Sequence, residues 1–104
     1  MITIGGTEVE TLRLNTIKAL TRMTDLLKTR GAIPYNSEKT PTCRNHLMWM
    51  CTTAITKLEE ESEDFPIDKA SRWLGFVHGV LAMLGDMDVM KERGATRPLF
   101  TKSP

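Results

Sequence analysis

Residues 74–84, with the sequence LGFVHGVLAML, constrain the fold more than any other stretch of the chain. Their apolar side chains point in several directions when they are placed on a helix. Such a helix must be covered on most of its sides. The other helices of a 104-residue chain cannot enclose it completely. We therefore expect this segment to be either the central helix of the domain or part of a contact with another subunit.

A first helix is predicted from about Thr7 to Arg30. Thr7 and Glu10 have the spacing of a capping box, and Gly31 follows as a C-terminal stop. Residues 1–6 are expected to form a short extended arm. The apolar side of this helix is predicted to consist of Ile17, Leu20, Met23, Leu26 and Leu27.

A second helix is predicted to start with Thr40 as the N-cap and Pro41 at the first helical position. Its inward side chains are expected to be Leu47, Met48, Cys51, Ala54, Ile55 and Leu58. It runs into residues 59–64, EEESED, where the helix dipole disfavours negative charge. This acidic end is expected to fray or to be compensated by a basic side chain.

A third helix is predicted to open at Pro66 or Asp68 and to stop at Gly85. A short fourth helical turn is expected over residues 86–93, closed by Gly94, with an irregular tail over residues 95–104. The prediction is a single all-α domain, residues 1–104, built as a compact bundle of three main helices plus a short C-terminal helix.

Composition narrows the environment in which the chain works. The formal net charge is only +1, so no strong overall field favours nucleic acid or an anionic membrane. Cys43 and Cys51 are eight positions apart on one predicted helix, about 12 Å, which is too far for a disulfide. The longest apolar stretch, residues 73–84, is shorter than the roughly 20 residues of a membrane span. With no secretory signal at its start, the chain is expected to be cytoplasmic.

The third helix carries the predicted interface. Gly75 and Gly79 lie one turn apart on one face, and each glycine costs about 1 kcal/mol of helix stability relative to alanine. Close approach of another backbone would explain them. We predict a homo-oligomer contact made by Gly75, Phe76, Gly79, Val80 and Met83. The alternative is one tight helix contact within the chain.

A second candidate site groups arginines with aromatic side chains. Arginine binds phosphate or carboxylate in a bidentate manner and stacks on rings. The candidate ligand-binding residues are Arg72, Trp73, His78, Arg93 and Arg97, which could hold a nucleotide-like anion or touch nucleic acid. The alternative is that the arginines pair with the acidic segment and cap helix ends, while Trp73 and His78 belong to the core.

Catalytic and metal chemistry find little support in the sequence. Cys43 and His46, three positions apart, are the one pair with the spacing for a thiol nucleophile and a base. A zinc site would have to recruit Cys51 and His78 as well, without the paired cysteine spacing that such sites use. The expectation is a non-enzymatic protein without metal or cofactor.

Residues 70–100 resemble the small helical accessory proteins encoded by bacteriophages. The resemblance lies in the sequence RWLG at residues 72–75, in Gly79, in the pair Glu92–Arg93 and in TRP at residues 96–98. It implies a non-enzymatic protein that oligomerises and inhibits or sequesters a host component, in the host cytosol. Some such proteins hold cyclic nucleotides between subunits, so a host protein or a small anion such as a nucleotide is the expected partner.

Overall fold

The computed structural model describes residues 4–88, 90–92 and 94–95, and within them the chain forms helices and turns without strands. Three helices, α1 (Ile4–Thr29), α2 (Arg44–Glu59) and α3 (Ile67–Met83), each pack against the other two. Residues 90–92 and 94–95 are also helical and form a short fourth helix. The predicted all-α class, with three main helices and a short C-terminal one, is confirmed.

One hydrophobic core fills the space between the three helices. Leu20, Met23 and Leu27 of α1 are buried as predicted, whereas Ile17 and Leu26 pack at the edge. The α2 side chains predicted to face inward are also buried, except Ile55, which lies at the edge. The third helix contributes Ala70, Leu74, Val77, Val80 and Leu81.

The helix starts differ from the prediction. Because α1 begins at Ile4, residues 4–6 are helical and do not form an extended arm, and Thr7 lies inside the helix rather than at its cap. Residues 1–3 lie outside the described part of the chain.

The start of α2 also lies later than expected. The carbonyl oxygen of Thr40 accepts a hydrogen bond from the Cys43 N–H at 3.0 Å, so the chain makes a separate turn before the helix. Cys43 is the N-cap, and its Sγ accepts from the His46 N–H at 3.4 Å. Thr40 and Pro41 were therefore wrong as the N-cap and first helical residue.

All three helices end in the same hydrogen-bonded motif. After α1 the Gly31 N–H donates to the Lys28 carbonyl and the Ala32 N–H to the Leu27 carbonyl, both near 3 Å. This Schellman motif requires a left-handed residue, and Gly31 has φ +77°. Gly85 repeats this after α3, as predicted. After α2 the left-handed position is held by Glu61, at φ 53°.

The acidic segment 59–64 has a basic neighbour. Nη2 of Arg13 on α1 lies 3.7 Å from a carboxylate oxygen of Glu61. Helix α2 stays helical up to Glu59, and the chain then turns without an extended frayed stretch. Of the two outcomes expected for this segment, compensation by a basic side chain is the one observed.

The short fourth helix is capped and attached to α1. The Asp88 carboxylate accepts hydrogen bonds from the Met90 and Lys91 N–H groups at 2.9 and 3.2 Å, which makes Asp88 an N-cap. Glu92 is buried and accepts two hydrogen bonds from the Arg22 guanidinium, each 3.0 Å long. Gly94 is itself helical and therefore does not close the helix as predicted. The predicted tail, apart from Ala95, lies outside the described residues.

Helix α1 extends beyond the rest of the bundle. Its 26 residues span about 39 Å at 1.5 Å per residue, compared with about 24 Å for the 16 residues of α2. Among its described side chains, the first buried one is Thr16, and Val9 and Leu12 on the same side are exposed. Among the residues that the structure describes, no helix covers this outer apolar side of α1.

The shared ending motif predicts two substitutions of opposite sign. We expect Gly31→Ala to lower the free energy of unfolding by about 1 kcal/mol, because an L side chain is disfavoured in the left-handed region. We expect Glu61→Gly to raise it by up to about 1 kcal/mol for the same reason. Urea unfolding followed by circular dichroism measures both. Equal effects of the same sign would contradict the assignment.

Candidate interaction surface and arginine-lined cavity

One face of α3 is apolar and open to solvent. Gly75, Gly79 and Met83 follow one another at four-residue intervals, and Phe76 lies beside them. Met83 is 82% exposed and Phe76 is 42% exposed. We call these four residues the α3 face. A methionine and a phenylalanine with this exposure form an apolar surface that no described part of the chain covers.

Val80 does not belong to the α3 face. It was predicted to be part of the interface, but it is only 5% exposed and packs in the core of its own chain. Like Phe76 one turn earlier, it directly follows a glycine, so helical spacing alone does not separate the two; packing within the chain covers Val80 and leaves Phe76 42% exposed. Four of the five residues predicted to form the interface therefore lie on the surface, and Val80 lies in the core.

The two glycines of the α3 face leave a shallow notch. A Cβ atom placed on Gly75 or Gly79 would meet no atom within 4 Å. Neither glycine therefore brings two helices of this chain together, at least among the described residues. The alternative of a tight helix contact within the chain does not account for them.

Trp73 lies in an aromatic cluster rather than in an open site. Its ring packs edge-on against Phe65 at 4.9 Å between centroids and lies 5.9 Å from the Trp49 ring. The Lys69 ammonium sits 5.9 Å from the Trp73 centroid and 5.1 Å from that of Phe65. These contacts stabilise the side of α3 that faces α2 and the α2–α3 turn.

The structure does not bring Arg72 and Trp73 together around a ligand. Arg72 is exposed and its Nη1 lies 3.1 Å from the Asp68 carboxylate one turn earlier, while the Trp73 ring packs in the cluster. Arg93 and Arg97, the other predicted arginines of this site, lie outside the described residues. No specific observation therefore favours the nucleotide-binding alternative.

His78 is half-buried near the fourth helix. Its Nε2 is buried, and no described residue offers it a hydrogen-bond partner. Burial lowers the pKa of His78, and the negative charge of Glu92 offsets part of this effect. The imidazole is therefore held mainly neutral near pH 7. The expectation of a buried histidine satisfied by hydrogen bonds is met only for burial.

One carboxylate joins the ends of all three helices. Asp86, just after α3, accepts hydrogen bonds from Nε and Nη2 of Arg44 in the first turn of α2, the latter at 3.0 Å. Arg30, just after α1, places its Nε 3.6 Å from the same carboxylate. Hydrogen bonds from Arg44 lower the pKa of Asp86, although burial opposes this.

A cavity of about 330 Å³ lies at the same end of the bundle. Its walls come from the end of α1, the turn before α2, the first residues of α2 and Leu84. The polar groups in the walls belong to Arg30, Thr42, Cys43, Arg44 and Asn45, and none of the lining residues is acidic. The sequence gives no local signal for this cavity. Its wall residue Arg44 is positioned by an ion pair with Asp86, which is 42 positions away in the chain.

The predicted pairing of the Cys43 thiol with the His46 imidazole is not formed. The His46 ring nitrogen Nδ1 accepts a hydrogen bond from the Ser37 N–H at 3.1 Å, so this lone pair is already used. The contact between the two residues runs instead from the His46 backbone N–H to the Cys43 Sγ. Cys43 is partly exposed, whereas Cys51 is buried, which raises the pKa of the Cys51 thiol to about 12.

The described residues contain neither a metal-binding cluster nor a membrane-spanning helix. Across residues 4–88, 90–92 and 94–95, no three histidine, cysteine or acidic side chains converge as metal ligands. Within that part of the chain, no helix has the length and apolar character that crossing a bilayer requires.

The Asp86 cluster predicts a pH-dependent contribution to stability. Since the pKa of Asp86 is lowered by folding, its contribution is present above the ordinary pKa of an aspartate, about 3.9, and is lost as pH falls through the lower folded-state value. We expect Asp86→Asn to lower the melting temperature at pH 7. We expect this deficit to shrink as pH falls through that lower value, because the wild-type carboxylate then becomes protonated.

Asp68→Asn is the matched control for this measurement. It removes an exposed ion pair with Arg72, which contributes little to stability. Melting curves of the two variants and the wild type between pH 7 and pH 2 distinguish loss of the Asp86 cluster from loss of an exposed ion pair. A deficit for Asp86→Asn no larger than that for Asp68→Asn would show that the cluster does not hold the helix ends together.

Comparison with known proteins gives no relative of this chain. No protein-family model, no curated protein and no solved structure matches it. The α3 face, the Asp86 cluster and the cavity are therefore the features from which a function is inferred.

Proposed function

We propose that the chain is a non-enzymatic binding protein that assembles as a homodimer through the α3 face. The observation that supports this most is the self-complementary shape of that face. It carries an open notch at Gly75 and Gly79 and, two turns after Gly75, the strongly exposed Met83. A surface that contains both a projection and a notch is suited to pairing with a copy of itself.

The spacing of these residues fits an antiparallel pair of α3 helices. A two-fold axis beside Gly79 places residues at equal distances before and after it opposite each other. Met83 of one copy then lies over Gly75 of the other, and the reverse contact forms at the same time. Each Met83 loses its exposed position, and the two backbones approach closely where no Cβ separates them.

In this proposal the protein acts by binding to a partner and does not catalyse a reaction. The resemblance of residues 70–100 to bacteriophage accessory proteins supports a host component as that partner, met in the host cytosol. In this proposal the dimer inhibits or sequesters that component. The charge of +1 for the whole chain favours recognition by shape and apolar contact over long-range attraction.

The decisive variant is Gly79→Leu. The monomer has open space for the new side chain, and leucine is a better helix former than glycine by nearly 1 kcal/mol, so the fold is retained. At the proposed interface the leucine separates the two helices. We expect the dimer dissociation constant to rise at least about fivefold, since overpacking costs about 1–3 kcal/mol.

Sedimentation velocity over a range of concentrations measures association, and circular dichroism measures helicity. Thr56→Leu is the control, because it adds the same side chain to an exposed position of α2, outside the α3 face. It is expected to leave the dimer intact. A monomeric wild type, or equal association of wild type and Gly79→Leu, would refute the proposal.

A further inference from the structure

We propose that the cavity beside Cys43 is a covalent docking site for small anionic disulfides. Cys43 is the attachment point, and Arg30 and Arg44 recognise the negative charge. This site is separate from the α3 face and does not depend on the proposed dimer. The class of ligand is a low-molecular-weight disulfide that carries carboxylates, of which glutathione disulfide is an example.

The first argument is the composition of the cavity walls. Arg30 and Arg44 both line it, whereas Asp86, which neutralises one of their charges, is not among the lining residues. The Asp86 side chain is only 4% exposed, while those of Arg30 and Arg44 are 48% and 41% exposed. The carboxylate therefore lies behind the guanidinium groups, and the surface offered to a ligand is cationic.

The second argument is that both arginines keep donors for a ligand. Arg44 uses Nε and Nη2 for Asp86, and Arg30 contacts Asp86 through its Nε. A guanidinium has five N–H donors in a planar fork. The remaining donors suit carboxylate oxygens, and bonds of this kind are stronger than neutral ones.

The third argument is the state of the thiol in the same walls. Burial raises the pKa of Cys43, but hydrogen bonds from the His46 N–H, the Thr40 and Ser37 hydroxyls and the Asn45 N–H together outweigh it, so the pKa lies below its ordinary value. The His46 N–H and the Thr40 hydroxyl contact Sγ at 3.4 and 3.7 Å. The N-terminus of α2 further favours a thiolate there. A thiolate is the form that attacks a disulfide.

The reaction needs no reagent beyond the disulfide itself. The Cys43 thiolate attacks one sulfur atom of the ligand, and a new S–S bond forms between the protein and that half. The ligand S–S bond breaks, and its other half leaves as a thiolate that takes up a proton from water. The Cys43 sulfur is oxidised and the departing sulfur is reduced, so the electrons balance. Excess small thiol reverses the step.

The test compares disulfides of opposite charge. The full-length wild-type chain is treated at pH 7 and low salt with dianionic DTNB and with dicationic cystamine, and adducts are followed by intact mass spectrometry. Each rate is divided by the rate of the same reagent with uncharged mercaptoethanol. We expect a normalised preference of about tenfold or more for DTNB, and a much smaller one at high salt, where the Debye length is about 3 Å at 1 M.

Three variants show whether the cavity is responsible for the preference between the two disulfides. Arg30→Gln removes a wall charge and is expected to lower the preference several-fold, whereas Lys28→Gln removes an exposed charge that does not line the cavity and is expected to change it little. Cys43→Ser is expected to give no adduct, because Cys51 is buried. Glutathione disulfide should then attach at Cys43 alone.

Three results would overturn the proposal. The first is a normalised rate ratio near one for the wild type, which would mean that the walls do not recognise charge. The second is an equal effect of Arg30→Gln and Lys28→Gln, which would assign the preference to the overall field. The third is a rate for Cys43 no faster than that of Cys51, which would mean that the thiol is inaccessible. Melting curves confirm that each variant is folded.

Discussion

The ion-pair cluster at Asp86 is the interaction on which the arrangement of this bundle depends. A nearly buried carboxylate that follows α3 is bound by an arginine after α1 and by another at the start of α2. A charge taken out of water needs partners, and here the partners come from the other two helices. The three helix ends are therefore fixed by one group, which also positions both cationic walls of the cavity.

Local chemistry explains which parts of the fold could be predicted from the sequence. Gly31 and Gly85 mark helix ends because a left-handed residue is needed there, and the apolar spacing of Leu20, Met23 and Leu27 fixes the buried side of α1. The start of α2 could not be predicted in the same way. Thr40 and Cys43 both have side chains that accept hydrogen bonds, and the turn that selects Cys43 forms only in the folded chain.

The candidate surfaces could be predicted only in part, because their residues depend on three-dimensional neighbours. Helical spacing placed Gly75, Gly79 and Met83 on one face, and the structure keeps that face exposed. Spacing alone could not separate Phe76 from Val80, since both lie next to a glycine and only the position of α1 and α2 decides which is covered. The cavity depends on the ion pair between Arg44 and Asp86, which are 42 positions apart, so no local sequence pattern predicts it.

The outward half of α1 opens with a different free energy from the half that is packed in the bundle. Val9 and Leu12 are exposed in the described part of the chain, so packing there protects the helical hydrogen bonds before Thr16 less than those after it. A short isolated helix is marginal in water, but this one is already nucleated by the half that is buried. Its amide hydrogens therefore exchange with solvent through local fraying, while those around Leu20 exchange only when the bundle opens. Amide exchange along this one helix therefore measures two free energies, that of local fraying and that of opening the bundle. A molecule that binds to the outer half would slow exchange only in that half.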